Sequence, residues 1–151
     1  MAIKIILTEP NKLLRQTSKS VNQVGKDEQK LMDDMLETMY SAKGIGLAAI
    51  QIGVPKRIIV MDLSKEENKK LRMYFVNPLI TEKNNEKTTY EEGCLSVPNQ
   101  FAEIDRPSKC KVEYLDFNGN KQSLQAEGLL ATCIQHEMDH LEGILFIDYL
   151  S

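Results

Sequence analysis

The two histidines of the chain stand four residues apart, His136 and His140, in the segment Gln135-His-Glu-Met-Asp-His-Leu-Glu-Gly143. On an α-helix, positions i and i+4 share a face one turn apart, so two imidazoles can converge on a single cation. Glu137, directly after the first histidine, stays within reach of the same point without being needed as a ligand, and is placed to handle a proton. The chemistry this pattern offers is metal-assisted hydrolysis.

Two histidines do not complete a metal site. Zinc peptidases of the pattern H-E-x-x-H-x-x-G-x-x-H need a third histidine, and this chain follows that template through Gly143 and then has Phe146. A downstream carboxylate is disfavoured as well, because only eleven residues follow His140 and Asp148 is the one suitable acid among them. The third ligand is therefore expected upstream, and a cysteine thiolate binds first-row metals strongly. Cys133 lies one turn before His136, but a short side chain on the same helix reaches a tetrahedral position poorly, and it reads better as a small core residue. Cys94, in Glu91-Glu-Gly-Cys-Leu-Ser96, falls in an irregular segment that can present a thiol, or be a buried strand-end residue. Spacing alone leaves this choice open.

A second small-residue segment, Gly44-Ile-Gly-Leu-Ala-Ala-Ile-Gln51, imitates a dinucleotide-binding fingerprint, with Asp62 about eighteen residues on. That fingerprint needs a strand before the first glycine and a helix after the third small residue. Here a helix precedes it and Pro55 leaves no length for one after, which excludes the nucleotide reading. A strand packed against a helix end explains the small residues but not the polar Gln51.

Apolar residues from Asp27 to Ala42 (Leu31, Met32, Met35, Leu36, Met39, Tyr40) recur at helical spacing, with Gly44 where the helix should stop. Short β-rich runs follow at Arg57–Leu63, Leu71–Val76, Cys110–Phe117 and Lys121–Ala126, separated by the turn signals Val54-Pro55, Asn77-Pro78, Asn84-Asn85 and Asn118-Gly-Asn120. The histidine helix is expected from about Gly128 to Leu141, capped at Gly143. Segregated helices and strands in this order mean α+β, mostly antiparallel sheet around a C-terminal metal helix. Ser64–Lys70 reads as a solvated, charge-dense loop.

At 151 residues, with 27% charged and 42% hydrophobic residues, the chain is expected to form one domain with a sufficient core. A net charge of -3 without a basic tract argues against direct nucleic-acid binding, and no stretch suits a signal peptide or a membrane span. The three cysteines contain no C-x-x-C pair, which speaks against a secreted disulfide framework and for a cytoplasmic protein.

Taken together, G-I-G-L-A-A-I-Q at 44–51, E-G-C-L-S at 92–96 and Q-H-E-M-D-H-L-E-G at 135–143 resemble the three signature motifs of the peptide deformylases, in order, over nearly the whole chain. The resemblance implies an α+β fold and removal of the formyl group from the N-terminal formylmethionine of new polypeptides. It implies Cys94, His136 and His140 as ligands to Fe(II), with Zn(II), Ni or Co able to occupy the site. By the same resemblance Glu137 carries the proton, and Gln51 with the backbone N–H of Leu95 stabilises the developing oxyanion. Gly46 would let the substrate backbone approach, and Ile45, Tyr90, Leu129 and Cys133, with Glu92 nearby, would line the methionine pocket. Nascent formylmethionyl peptides are the implied partners, with transient proximity to the ribosome, a monomeric state, and a bacterial, phage-infected or organellar setting.

Two features depart from the usual pattern. Phe101 stands where many deformylases have a basic residue, and the chain stops at Ser151, where most bacterial members continue into a further helix. An HExxH peptidase and a non-catalytic metal-binding domain are the alternative readings.

Overall fold

The computed structural model describes residues 2–64 and 70–150, so most of the expected solvated loop, residues 65–69, lies outside the described residues. Among the described residues, seven strands and two α-helices form a five-stranded sheet with a helix on each face, beside a separate two-stranded hairpin. No helix among the described residues is long and apolar enough to cross a membrane.

Helix α1 spans Lys26–Ser41. Its buried Met32, Met35, Leu36 and Met39 repeat at intervals of three and four and form one apolar stripe. The Glu28 carboxylate accepts the Gly25 N–H at 2.9 Å and satisfies one of the open donors at the helix start. The stop differs from expectation. Lys43, not Gly44, takes the left-handed conformation (φ 61°), and the Gly44 N–H bonds back to the Met39 carbonyl at 2.9 Å. Gly44 is required for another reason: a Cβ there would lie 2.7 Å from Leu95 Cδ1.

The sheet runs β1 (Gly46–Ala48), β2 (Ile58–Met61), β3 (Met73–Lys83), β6 (Lys109–Leu115) and β7 (Lys121–Glu127), every pair antiparallel. Side chains of β2 alternate between two cores. Ile58 and Val60 join the α1 residues, while Ile59 and Met61 join Ala131, Ile134 and Leu141 of helix α2, Gly128–Leu141. Burial on both faces is worth about 1.5–3 kcal/mol for each such side chain relative to exposure.

Helix α2 has the bounds expected from sequence and is followed by Gly143 (φ 74°), where a Cβ would collide with the Arg15 carbonyl oxygen. The Asn77-Pro78 turn signal misleads, because β3 runs through it. Asn77 (φ 51°) sits in a register shift between Val76 and Leu79, and its amide pairs with both backbone groups of Val21, at 2.7 and 2.8 Å.

The hairpin of β4 (Lys87–Cys94) and β5 (Val97–Pro107) is not among the expected strands. Most of its side chains are exposed or half-buried, so no strong period-2 apolar pattern marks it. Its pairing is regular to Glu92↔Ala102 and resumes at Cys94↔Val97, so Gly93 alone faces the segment Pro98–Phe101. Val97, Ile104, Leu145 and Phe146 form a third small core that ties the hairpin to the 3-10 helix Phe146–Tyr149.

Candidate metal centre

Helix α2, the end of β4 and the 3-10 helix Ala49–Ile52 after β1 meet at one cleft of about 440 Å³. On α2, Leu129, Thr132, Cys133 and His136 succeed one another at spacings that keep them on one face, so a single helix supplies both cleft wall and ligand. His140 lies one turn further and is almost wholly buried behind the cleft. The two imidazole centroids are 5.1 Å apart.

Cys94 completes the group. The ligating atoms of Cys94, His136 and His140 all lie within 4.8 Å of one another, and Cys94 Sγ is 3.3 Å from His140 Nε2. Donors around one tetrahedral cation, with bonds of about 2.0–2.3 Å, stand roughly 3.3–3.7 Å apart, so a sulfur and two imidazole nitrogens gathered this closely fit a first-row metal. Cys133 is not in the group. Burial pushes its thiol up to about 12, which keeps it protonated and uncharged in the cleft wall. Of the two cysteines that spacing left open, Cys94 is the one gathered with the histidines.

Glu92 accepts a hydrogen bond from His136 Nδ1 at 2.9 Å, which directs Nε2 of that ring toward the other ligands. Arg106 grips the same carboxylate through Nε and Nη2 at 2.7 and 3.0 Å. Burial raises the Glu92 pKa, but the hydrogen bonds from His136 and Arg106 outweigh it and hold the carboxylate ionised. Glu92 therefore borders the cleft with both oxygens already engaged. His136, in turn, is pushed down by burial and up more strongly by Cys94 and Glu92. His140 is driven well below its ordinary value by burial and by His136, as suits a neutral donor.

Glu137 is buried beside the ligands, and its Oε1 has no hydrogen-bond partner among the described residues. Burial pushes its carboxyl up to about 7 against the pull of His136. The Gln51 amide is fixed from both ends: its oxygen accepts the Ala48 N–H at 2.9 Å, and Nε2 donates to Ser96 Oγ at 3.0 Å and faces Cys94 Sγ at 3.6 Å. The polar residue that a packed strand could not explain points into the site.

Leu95, Gly46, Ile45 and Tyr90 line the same cleft, so every residue expected at the site borders it except His140. Ile45, Leu129 and Phe101 are apolar but 44%, 40% and 68% exposed. Phe101 lies across Gly93, where a Cβ would come within 2.6 Å of its ring, so the glycine makes room for an aromatic rim. Sequence reasoning did not find Arg106, Ser96 or Asp139. A buried glutamate demands a cation, but nothing in the spacing indicates which of 19 lysines and arginines supplies it.

The polypeptide deformylase family model matches residues 3–151. A peptide deformylase of Pelagibacter ubique is 74% identical over 151 residues, covering all of this chain and 88% of that protein. One from Maricaulis maris is 57% identical, covering all of this chain and 87% of the other. The crystal structure of peptide deformylase from Ehrlichia chaffeensis in complex with actinonin superposes with a TM-score of 0.94 at 45% identity, over 100% of this chain and 90% of that one. A probable peptide deformylase from Synechococcus phage S-SSM7 gives 0.94 at 46% identity, over 97% and 99%.

Proposed function

The chain belongs to the polypeptide deformylase family, and from that membership we propose how its residues divide the work of removing the N-formyl group from nascent peptides. The enzyme is a metal-dependent hydrolase. In our reading Cys94, His136 and His140 hold the cation. Fe(II) is the working metal, and Zn(II), Ni(II) or Co(II) can take its place, since one thiolate with two imidazoles suits all of these ions. When bound, the cation supplies the Lewis acidity that makes water a nucleophile near neutral pH.

Glu137 accepts the proton that the attacking water gives up and returns it to the leaving amine. The Gln51 amide and the Leu95 N–H donate to the formyl oxygen as negative charge develops there; the double anchoring of Gln51 by Ala48 and Ser96 keeps that donor aimed without reorganisation. Strand β1 is an edge strand, so substrate backbone can add beside Gly46 in an extended pose. The methionine side chain enters between Ile45, Tyr90, Leu129 and Cys133. Glu92 serves this pocket by holding His136 in its wall. Downstream residues pass the rim at Phe101.

A site that depends on a free thiolate belongs in a reducing compartment, and all three cysteines are unpaired. Together with the bacterial relatives, this supports a cytoplasmic setting. We read the enzyme as a monomer that acts on formylmethionyl chains as they leave the ribosome.

The observation that carries the reading is the approach of Cys94, His136 and His140 to within 4.8 Å at a cleft shared with Glu137 and Gln51. Its test is the metal content of two single variants. Cys94→Ala should lose the metal while Cys133→Ala keeps it; the reverse result would reject the ligand set.

A further inference from the structure

Behind His136 the hydrogen bonds do not stop at Glu92. Arg106 holds Glu92 with two nitrogens and sends its third, Nη1, to Asp139 Oδ2 at 2.8 Å. The Tyr149 hydroxyl donates to that same Oδ2 at 2.7 Å, and the guanidinium lies 5.1 Å from the centre of the Tyr149 ring. Glu92 and Arg106 are almost wholly buried, the Asp139 side chain is 19% exposed, and Tyr149 is 53% exposed in the 3-10 helix Phe146–Tyr149.

Resting on the metal-centre reading above, we propose that Asp139 and Tyr149 are positioning residues for the metal ligand His136. They act through Arg106 and Glu92, so the C-terminal 3-10 helix takes part in setting the geometry of the metal site. A guanidinium is a planar fork, and its angle fixes the carboxylates it touches. Glu92 alone would leave Arg106 free to swing about that one partner. Asp139 pins the opposite edge, and the Tyr149 hydroxyl and ring hold Asp139 and the guanidinium face. Groups beyond the direct ligands commonly change metal affinity about 10- to 100-fold when lost. Here such an effect would come from residues that touch neither metal nor substrate.

The test uses the full chain and Co(II) as the probe, reading its dissociation constant by chelator competition and its visible spectrum. Asp139→Asn should bind Co(II) about tenfold more weakly and Tyr149→Phe several-fold more weakly, each with shifted ligand-field bands. The double variant should match Asp139→Asn alone, because the hydroxyl acts only through that carboxylate. Asp148→Asn is the control. Asp148 caps the same 3-10 helix through the Leu145 N–H at 3.0 Å and bridges Arg15 at 2.5 Å, but among the described residues it makes no hydrogen bond or ion pair to the relay side chains.

Wild-type affinity and spectrum in Tyr149→Phe would overturn the proposal, as would an equal loss in Asp148→Asn, which would mean that general packing of the terminus is responsible. Should Asp139→Asn not fold, the comparison of Tyr149→Phe with Asp148→Asn decides alone. Absence of a sulfur-to-cobalt charge-transfer band in the wild type would instead remove the metal-centre reading, and the relay with it.

Discussion

The Glu137 carboxylate rests directly on Gly46: a Cβ built on that glycine lies 2.6 Å from Oε2 and 3.2 Å from Cδ. Strand β1 and helix α2 approach this closely only because one of them lacks a side chain at the point of contact. Under the roles proposed above, the glycine that admits substrate backbone on one side also seats the proton carrier on the other.

Gly46→Ala should therefore displace Glu137 and slow deformylation by about 10²-fold or more, the scale of a misplaced general base. The three atoms nearest that Cβ all belong to Glu137 rather than to either histidine, so metal content should be unchanged. The check is steady-state kinetics alongside elemental analysis. Full activity in this variant would show that the Glu137 position seen here is not the working one.

Gln51→Leu removes an amide that is anchored at both ends. Loss of an oxyanion donor lowers kcat by about 10²–10³-fold. The Ala48 N–H and Ser96 hydroxyl would also lose buried partners, at a cost of about 1–3 kcal/mol in unfolding free energy. Both effects should appear together, with full metal occupancy. An unchanged kcat in a destabilised protein would leave Gln51 a purely structural role.

Asp62 gives a pH dependence whose sign can be stated. Burial raises its pKa, but hydrogen bonds from the Ser64 hydroxyl, Tyr40 and the Ser64 and Leu71 N–H groups outweigh this and bring it to about 2, from 3.8. A carboxyl with a depressed folded-state pKa contributes stability that is complete above pH 3.8 and is lost as pH falls toward 2. The shift corresponds to about 2 kcal/mol. Asp62→Asn should lose roughly that amount at neutral pH and show a shallower fall in stability between pH 5 and 2, measured by urea unfolding. Parallel curves for the two proteins would contradict the assignment.

Much of this site was legible before the fold was known because its parts are local in sequence. His136, Glu137 and His140 sit on one helix whose bounds follow from apolar spacing and a C-terminal glycine, and Gln51 is conspicuous as a polar residue ending an apolar run. Cys94 and Cys133 could not be separated by spacing, since what separates them is a strand crossing that brings residue 94 to residue 140. Resemblance to deformylases indicated Cys94, and the geometry gives the physical reason.

The rest was hidden for two reasons. Strands β4 and β5 bury too little to show an alternating pattern, and their pairing is interrupted where Gly93 faces Pro98–Phe101. Arg106 supports His136 through Glu92, fourteen residues away on the paired strand, a register that no local pattern encodes.

The most direct test of the central claim is formate release from N-formyl-Met-Ala-Ser by protein purified without oxygen and loaded with Fe(II), wild type beside Glu137→Ala, with metal content measured in both. The wild type should release formate rapidly. The variant should keep its iron and lose turnover by about 10²–10⁴-fold, the contribution expected of a positioned proton carrier. Turnover surviving in the variant, or iron lost in proportion to activity, would contradict the separation of metal-holding Cys94, His136 and His140 from proton-carrying Glu137.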